Sequence, residues 1–566
     1  MIYNNLKNLM IFMLMSFYLF MLNFLSWLMF LLFYILNMKI FLEFNFTNLN
    51  SNKMILFIYL DWMTMIFIST ISLISSIVIL YSLEYMNKDK FMKRFIMLIL
   101  TFILSMIFMI LTPNLISILL GWDGLGVSSY ALVAYYQNKK SFNSSMNTIL
   151  MNRLGDIMII SSIALLSSLG SWNLLLMNHN SNMNLIMMFI FTATITKSAQ
   201  MPFSSWLPMA MAAPTPVSSL VHSSTLVTAG VYILIRFNHL INLNLMYFIT
   251  LISSITMLMA GLSANLEYDI KKIIALSTLS QLSLMILTIS LNCPKMTFFH
   301  LITHAMFKSL MFLCSGIMIH NYLNHQDIRY MSFMNLNMPL TNLMFNSSAL
   351  TLCGLPFLSG FYSKDLIIEL FTFNKFNNLM FMTIYISMSL TISYTFRLIF
   401  YLTLKSKKIK TFMYYNSFNF MNYTIFILFF MSLFYGSMLN WLIMSNLETI
   451  FLPKKLKLLI FMFLILGISM GLISPFNPPM FMIKFKYLII FTKNMWLLPL
   501  LFKKNKINML KLTNKMIFFS DSTWLELLTF KLFSFMLTLL MKKMNWSLIF
   551  FSLTMYFSLS LILIYL

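Results

Sequence analysis

The sequence is poor in charged residues. Only 9% of its 566 residues are Asp, Glu, Lys or Arg, whereas 60% are hydrophobic, and the mean hydropathy is +0.85. These values lie far outside the range of water-soluble globular domains, so they exclude that class. The composition predicts an all-α polytopic membrane protein.

Cysteine is scarce as well. Cys293, Cys314 and Cys353 lie far apart, and they form neither a CxxC pair nor the spacing of an iron–sulfur or zinc site. We therefore expect no metal cluster in this chain.

Acidic residues are few, at 14 Asp and Glu against 38 Lys and Arg, and the formal charge is +24. In a soluble protein this excess would suggest nucleic acid binding. Here the basic residues cluster in the links between apolar runs and in the tail after Pro475, which fits membrane topology and lipid headgroups better. We expect lipid contacts and no nucleic acid partner.

Long apolar runs make up most of the chain, and they predict about 15 transmembrane helices. The predicted spans are 9–36, 55–82, 93–111, 114–135, 147–169, 184–205, 214–237, 245–264, 271–290, 297–320, 338–371, 376–402, 418–444, 456–474 and 546–566. The first run is too short for two spans, so it counts once.

A Lys-rich stretch follows the fourteenth run. Its later part, residues 521–544, is apolar but is interrupted by Glu526, Lys531, Lys542 and Lys543. We predict a C-terminal lateral helix that lies along the membrane surface. A sixteenth span is the alternative, and it would reverse the final topology.

The distribution of basic residues predicts the orientation. When the spans are threaded alternately across the bilayer, most lysines and arginines of the links, such as those at 139–140, 271–272 and 405–410, lie on one side. The positive-inside rule places that side, with the amino terminus, in the compartment of synthesis. Leu566 is then expected on the opposite side.

Proline interrupts two of the predicted spans, at Pro202 and Pro208 and again at Pro356. Lys197 precedes the first break and Lys364 follows the second, which is the order expected of two inverted repeats. Broken helices at membrane depth normally line a polar cavity, because proline leaves backbone groups without partners. Alternatively, these prolines only kink packed helices.

Ionisable residues inside spans are the strongest functional signal, because each costs about 2.5–3.5 kcal/mol at a helix centre. Such groups need a partner or water. The candidates are Asp123, Asp156, Lys197, His222, His300, His304, Lys308, Lys364 and Asp365.

His300, His304 and Lys308 recur every four residues and so share one helix face. A zinc site is less favoured than a proton relay, because no Glu follows the first His and no third ligand is apparent. The histidines could also simply hydrogen-bond between helices. Residues 121–126 read GxxGxG inside a helix, which is not the order of a dinucleotide-binding loop.

Nine short motifs together resemble the antiporter-like subunits of respiratory complex I. They are residues 120–130 (LGWDGLGVSSY), 152–156 (NRLGD), 197–200 (KSAQ), 213–218 (APTPVS), 269–272 (DIKK), 300–308 (HLITHAMFK), 324–329 (NHQDIR), 360–365 (GFYSKD) and 396–397 (FR). The set is specific and extends in order over about residues 55–400.

The resemblance implies a proton-translocating subunit with discontinuous helices, coupled to electron transfer from NADH to ubiquinone. FMN, iron–sulfur clusters and ubiquinone would belong to other subunits, and this chain would hold no cofactor. Its partners would be other membrane-arm subunits, lipids, among them cardiolipin, and protons. The location would be the mitochondrial inner membrane, with the amino terminus in the matrix and the carboxyl terminus in the intermembrane space. A subunit of a multisubunit sodium–proton antiporter is the alternative.

The resemblance also assigns roles and boundaries. Asp123 and Lys197 would form an acid–lysine pair, bridged by water because the family usually has the longer glutamate at position 123. The central relay would comprise His222, His300, His304 and Lys308, with Lys364 and Asp365 as the exit group, and Asp156 would match a family carboxylate. The implied divisions are N-terminal helices 1–92, antiporter-like halves 93–264 and 265–444, and an extension 445–566 with the lateral helix 521–544 and the last span 546–566. The family commonly has 16 spans, so one amino-terminal span would be missing here.

Overall fold

The computed structural model describes residues 2–49, 52–177, 181–331, 334–373, 378–404, 420–444, 451–474, 486–527, 531–543, 552–558 and 560. The chain forms two compact units, Met1–Trp496 and Leu497–Leu566. The first unit contains all the ionisable candidates.

The first unit is a helical bundle with one β-hairpin. Its helices are α1 (Ile2–Ile35), α2 (Trp62–Tyr85), α3 (Met92–Leu111), α4 (Leu115–Val133), α5 (Lys139–Ser167), α6 (Ser181–Lys197), α7 (Trp206–Ala210), α8 (Thr215–Val217), α9 (Leu226–Arg236), α10 (Leu243–Leu266), α11 (Ile270–Ser290), α12 (Pro294–Asn321), α13 (Met334–Asn337), α14 (Pro339–Cys353), α15 (Ser359–Phe373), α16 (Asn378–Ile399), α17 (Phe420–Ile443), α18 (Lys454–Ile473) and α19 (Lys486–Lys493). Strands β1 (Ile40–Leu49) and β2 (Asn52–Leu60) pair antiparallel, with Ile40 opposite Leu60.

Twelve helical segments within the described residues are long and apolar enough to cross a membrane. They correspond to twelve of the fifteen predicted spans. Of the remaining three, 184–205 is represented by the shorter α6, and 338–371 is divided into α14 and α15. The third, 546–566, lies mostly outside the described residues.

The second predicted span begins too early in the sequence prediction. Residues 55–60 belong to β2, and the helix starts only at Trp62. Asp61 sets this start, because its carboxylate accepts a hydrogen bond from the Thr64 amide in a capping box. A short apolar run fits either a strand or a helix by its pattern, and here pairing with β1 decides.

Glycines allow several helices to approach closely. A Cβ on Gly121 would lie 2.8 Å from the Met109 Cβ, so α4 packs directly on α3. Gly467 and Gly471 do the same for α18 against the Ser389 and Ser393 backbone of α16. Helix α18 belongs to the first compact unit, which ends at Trp496.

Both predicted helix breaks are present. Helix α6 ends at Lys197, and residues 198–214 contain turns, a 3₁₀-helix at Phe203–Ser205 and the short α7 before α8 begins. A π-helical segment, Ser218–Thr225, then leads into α9. The second break separates α14 from α15, where Gly354 takes the left-handed conformation with φ of 80° and ends α14.

The second unit contains α20 (Leu498–Ile517), which a π-helical segment, Phe518–Leu525, extends, and α21 (Leu532–Lys543). The predicted lateral helix at 521–544 lies within this region, but the helical structure begins earlier, at Leu498. The sequence prediction placed no helix in the Lys-rich stretch before residue 521, although lysine is a good helix former.

Candidate functional site

Seven of the nine ionisable candidates are buried, each with a relative exposure of 4% or less. The buried ones are Asp156, Lys197, His222, His300, His304, Lys308 and Lys364. Asp123 and Asp365 are partly exposed. The bundle thus keeps three lysines away from water, and their local partners define the site.

Lys197 is the last residue of α6, directly before the first break. Its Nζ donates a hydrogen bond to the backbone carbonyl of Trp122 over 2.7 Å and lies 4.1 Å from the centre of the Trp122 ring. The carbonyl and the ring face together hold the ammonium at α4. Within the described part of the chain, Lys197 forms no ion pair.

Arg153 occupies the position between the two acids of this region. Its Nη1 lies 3.3 Å from Asp123 Oδ2 and 3.2 Å from Asp156 Oδ2. The Asp156 side chain is 6% exposed and that of Asp123 is 35% exposed. The predicted Asp123–Lys197 contact is therefore not direct, and Asp123 pairs with Arg153.

Asp156 and Lys197 each directly follow a residue of a close contact between α5 and α6. Gly155, the preceding residue, explains the proximity, because it packs against Thr196, the neighbour of Lys197. The absence of a side chain at 155 lets α5 and α6 meet at the level of Asp156 and Lys197. Asp156 was among the sequence candidates, but its position near Lys197 was not predicted.

His222 lies in the π-helical segment Ser218–Thr225. Neither ring nitrogen has a hydrogen-bond partner among the described residues, and the Trp206 ring lies edge-on at 6.2 Å between centroids. Native structures rarely leave both nitrogens of a buried imidazole without a partner, so this ring is an exception that points to function. π-Helical turns also occur frequently at functional sites.

His300 bonds to two other helices. Its Nδ1 lies 2.9 Å from the Ser363 hydroxyl on α15, and its Nε2 lies 3.2 Å from Gln281 Oε1 on α11. The Thr303 hydroxyl also donates to Ser363 over 3.4 Å. His300 thereby connects α11, α12 and α15 at the level of Lys364.

Lys308 has a hydroxyl as its partner. Its Nζ donates to the Ser277 Oγ on α11 over 2.5 Å, and no carboxylate within the described residues lies within ion-pair distance. His304, one turn before it, has no partner at either ring nitrogen in the same part of the chain. The predicted stripe of His300, His304 and Lys308 is therefore buried along its whole length.

Lys364 lies one turn into α15, after the second break. Its Nζ donates to the Leu352 carbonyl over 3.3 Å and to the Thr391 hydroxyl over 3.0 Å. Lys364 and Asp365 line a small cavity together with Cys353 and Tyr385. Of the exit pair, only Asp365 is partly exposed.

Sequence analysis missed the neutral polar residues that connect these charged groups. Ser277, Ser280 and Gln281 lie on α11, opposite the stripe of α12, and Tyr394 on α16 lies 3.4 Å from the Ser280 hydroxyl. The signal was available, because these positions are polar within apolar spans. Ser and Gln are common enough in membrane helices that only the contacts distinguish them.

The described residues contain no group of three or more His, Cys, Asp or Glu side chains that could hold a metal ion. His300 hydrogen-bonds instead to the hydroxyl of Ser363 and the amide of Gln281. Proton exchange is the chemistry that this arrangement of amines, imidazoles, hydroxyls and carboxylates permits.

Solved structures share this fold. A chain of the Mrp complex from Dietzia sp. superposes with a TM-score of 0.69 at 22% identity, over 81% of this chain and 53% of that one. A chain of the membrane-bound sulfane sulfur reductase, described as an archaeal respiratory membrane complex, gives 0.67 at 20% identity, over 80% and 93%. At these identities the likeness establishes a shared fold.

Family models narrow the class. Residues 112–389 match the model described as NADH:quinone oxidoreductase/Mrp antiporter, 46–96 match the complex I chain 5 N-terminus, and 394–566 match the NADH dehydrogenase subunit 5 C-terminus. The NADH-ubiquinone oxidoreductase chain 5 of Aedes aegypti is 49% identical over 82% of both chains. Those of Locusta migratoria and Lumbricus terrestris are 49% and 42% identical, over 80–81% and 87% of the two chains.

The chain belongs to the NADH-ubiquinone oxidoreductase chain 5 family. It is thus a proton-translocating subunit of complex I and a multi-pass protein of the inner membrane. The resemblance found in the sequence motifs is confirmed.

Proposed function

We propose that protons cross this subunit along the buried residues Lys197, His222, Lys308, His304, His300 and Lys364. The observation that carries the proposal is Lys308, a fully buried lysine that contacts a hydroxyl and no acid. Burying an uncompensated ammonium is costly, and such a group inside a membrane bundle marks an ion or proton pathway.

Lys197 is the loading station in this proposal. Asp156 and Asp123 attract its proton, whereas Arg153 competes for both carboxylates from 3.2 and 3.3 Å. When Arg153 moves away from the two acids, their attraction for the Lys197 ammonium increases, and when it moves closer, that attraction decreases. The local charge balance therefore loads and unloads the lysine without moving a whole helix.

Lys364 and Asp365 form the exit in this proposal. Lys364 is buried against Leu352 and Thr391, and Asp365 next to it is partly exposed. A proton that leaves Lys364 thus meets a carboxylate on the way to water. Transfer against the membrane potential costs about 2.3 kcal/mol per 100 mV, which changes in the pairing of buried charges are large enough to supply.

Electron transfer from NADH to ubiquinone takes place in other subunits of the assembly in this account, with FMN and iron–sulfur clusters there. The partners of this chain are then the neighbouring membrane-arm subunits and lipids, cardiolipin among them. The excess of Lys and Arg over Asp and Glu supports anionic lipid contacts. We place the amino terminus in the matrix and the carboxyl terminus in the intermembrane space, and we keep the halves 93–264 and 265–444 as functional units.

A sodium–proton antiporter subunit remains the second candidate, because the Mrp complex shares the fold. The chain 5 models that match on both sides of the shared antiporter region favour complex I. Flavin and iron–sulfur absorbance in the purified assembly separates the two.

The test of the pathway is Lys308→Met in the assembled, membrane-sealed complex, with proton transfer and NADH oxidation measured together. Lys272→Met is the matched control, since Lys272 lies near the start of α11 in an ion pair with Asp269 at 2.8 Å. We expect proton transfer to fall about tenfold or more for Lys308→Met, equivalent to about 1.4 kcal/mol or more of barrier, and to change little for the control. Wild-type rate and proton ratio in an assembled Lys308→Met complex would refute the pathway.

A further inference from the structure

The small cavity beside the second helix break brings three polar side chains together. Lys364 and Asp365 line it from α15, and Tyr385 lines it from α16. Gly354 lies next to the first two, since a Cβ added there would lie 3.5 Å from Lys364 Cδ and 3.6 Å from Asp365 Oδ1. An amine, a carboxylate and a phenol therefore meet at one enclosed space.

Each of these groups has hydrogen-bonding capacity to spare. The Lys364 ammonium has three N–H donors and uses two of them, on the Leu352 carbonyl and the Thr391 hydroxyl. The Tyr385 side chain is only 1% exposed, yet its hydroxyl has no partner among the described residues. Although Lys364 and Asp365 are adjacent, they form no ion pair with each other. Polar groups that share a space without direct contact indicate a bridging water.

The cavity has the size and the walls expected of a site for one water molecule. Its volume of about 10 Å³ is close to the roughly 10–15 Å³ that one water needs. Much of the remaining wall is apolar, with Met388 of α16 and Phe463 of α18, and the Cys353 thiol is paired with the Thr395 hydroxyl at 2.7 Å. The positive charge of Lys364 repels cations, so neutral water fits better than a metal ion.

We propose that one water molecule binds between Lys364, Asp365 and Tyr385 and carries the proton from the lysine to the carboxylate. Tyr385 is a positioning residue, because its hydroxyl holds the water where both charged groups can reach it. This inference rests on the proposed proton pathway. It adds the last step inside the protein, which then needs no direct contact between Lys364 and Asp365.

The step balances without a further acid or base. The Lys364 ammonium gives a proton to the water oxygen while the water passes one of its own protons to the Asp365 carboxylate. One N–H and one O–H bond break, two O–H bonds form, and the water is restored. The transfer neutralises both charges, which a low dielectric favours. Asp365, which is partly exposed, then loses its proton to bulk water, and neutral Lys364 takes the next proton from the pathway. The Tyr385 hydroxyl keeps its proton throughout.

The test is Tyr385→Phe, which removes the hydroxyl and keeps the ring that packs on Phe463. Proton transfer and NADH oxidation are measured in the assembled complex in sealed vesicles. We expect proton transfer to fall about three- to tenfold, because the water loses the group that orients it. Tyr81→Phe is the matched control. Tyr81 is also a fully buried tyrosine, but its hydroxyl donates to the Leu313 carbonyl over 3.3 Å, so this variant should keep wild-type transfer.

Two readouts separate positioning from a packing defect. A cryo-EM map of the wild-type complex that resolves water should show density about 2.7–3.2 Å from the Tyr385 hydroxyl and the Asp365 carboxylate, and this density should weaken in Tyr385→Phe. The solvent isotope effect on proton transfer should rise in Tyr385→Phe, because the step through water then limits the rate. Missing density in the wild type, wild-type transfer in Tyr385→Phe, or slowed transfer with an unchanged isotope effect would overturn the inference.

Lys364→Met separates this inference from the proposed function. If Lys364→Met keeps the wild-type rate and proton ratio, the exit at Lys364 is wrong and the inference falls with it. If Lys364→Met lowers proton transfer while Tyr385→Phe does not, only the water site is wrong. Asp365→Asn, whose amide cannot take up the proton, should lower transfer at least as much as Tyr385→Phe. The opposite order would contradict the role of Asp365 as the acceptor.

Discussion

The Lys197 ammonium donates to the carbonyl of Trp122 over 2.7 Å and lies over the ring of the same residue. Lys197 therefore binds the backbone of the residue directly before Asp123, whereas the Asp123 carboxylate pairs with Arg153. Its proton is held by a neutral carbonyl, a ring face and the field of nearby acids. Small changes in that field can then change its protonation.

The two acids near Lys197 should contribute unequally. Asp156→Asn should lower proton transfer more than Asp123→Asn, because the Asp156 side chain is better shielded from water and its charge is therefore screened less. We expect a loss of about tenfold for Asp156→Asn, equivalent to about 1.4 kcal/mol. Proton transfer and NADH oxidation in sealed vesicles measure both variants, and a larger loss for Asp123→Asn would contradict this order.

Gly155 and Gly126 make a matched pair of helical glycines. A Cβ at Gly155 would clash with Thr196, whereas a Cβ at Gly126 would meet nothing within 4 Å. Gly155→Ala should destabilise the bundle by about 1–3 kcal/mol through overpacking and separate Asp156 from Lys197. Gly126→Ala should be neutral or stabilise its helix by up to about 1 kcal/mol.

For Gly155→Ala, the temperature at which the assembled complex dissociates should fall, and so should its rate of proton transfer. Equal stability and equal proton transfer in the two alanine variants would mean that the close contact of α5 with α6 at Gly155 is not required.

Asp61 forms a two-bonded ion pair with Arg236, with oxygen–nitrogen distances of 2.7 and 2.8 Å. The pair connects the end of the β-hairpin, which Asp61 follows, to the end of α9 at Arg236. Asp61→Asn keeps the helix cap but leaves Arg236 without a counter-charge, so we expect a loss of about 3–5 kcal/mol. The exposed pair of Asp327 with Arg329 is the control, and Asp327→Asn should cost less than about 1 kcal/mol.

The Asp61–Arg236 pair should also make stability depend on pH. Burial raises the pKa of Asp61, but the attraction of Arg236 outweighs it, so the pKa lies below its ordinary value. Its contribution is full above the unfolded pKa of about 3.9 and is lost as pH falls through the lower folded pKa. The temperature at which the complex dissociates, measured from pH 7 to pH 3, should fall at acid pH in the wild type. The fall should be smaller in Asp61→Asn.

The segment 521–544 should serve assembly more than proton transfer. Its charged residues, such as Glu526 and Lys531, belong to the second compact unit, whereas the pathway lies in the first. Deletion should lower the amount of intact complex, measured by native electrophoresis. Normal assembly with a selective loss of proton transfer would contradict this prediction.

Most of the fold could be predicted from the sequence, because apolar run length and proline position are strong local signals. The β-hairpin could not, since residues 55–60 fit a strand or a helix equally well until their partner strand is known. The ionisable residues could also be identified from the sequence, because charged side chains are conspicuous within apolar runs.

Their connections could not be predicted. Gln281 lies opposite His300 because of how α11 packs on α12, and Arg153 lies between two acids because of how α4 meets α5. These are tertiary contacts between residues distant in sequence. The predicted pairing of Asp123 with Lys197 stays a prediction, now with Arg153 and Asp156 included.

The most direct test of the account is the proton transfer of assembled complex that carries Asp123→Asn, measured per NADH oxidised in sealed membranes alongside Asp123→Glu. The account predicts that removing the charge frees Arg153 to hold Asp156, weakens the loading of Lys197 and lowers proton transfer. Asp123→Glu, which keeps the charge, should retain it. Wild-type rate and proton ratio in Asp123→Asn would contradict the account and leave residues 121–126 with a helix-packing role only.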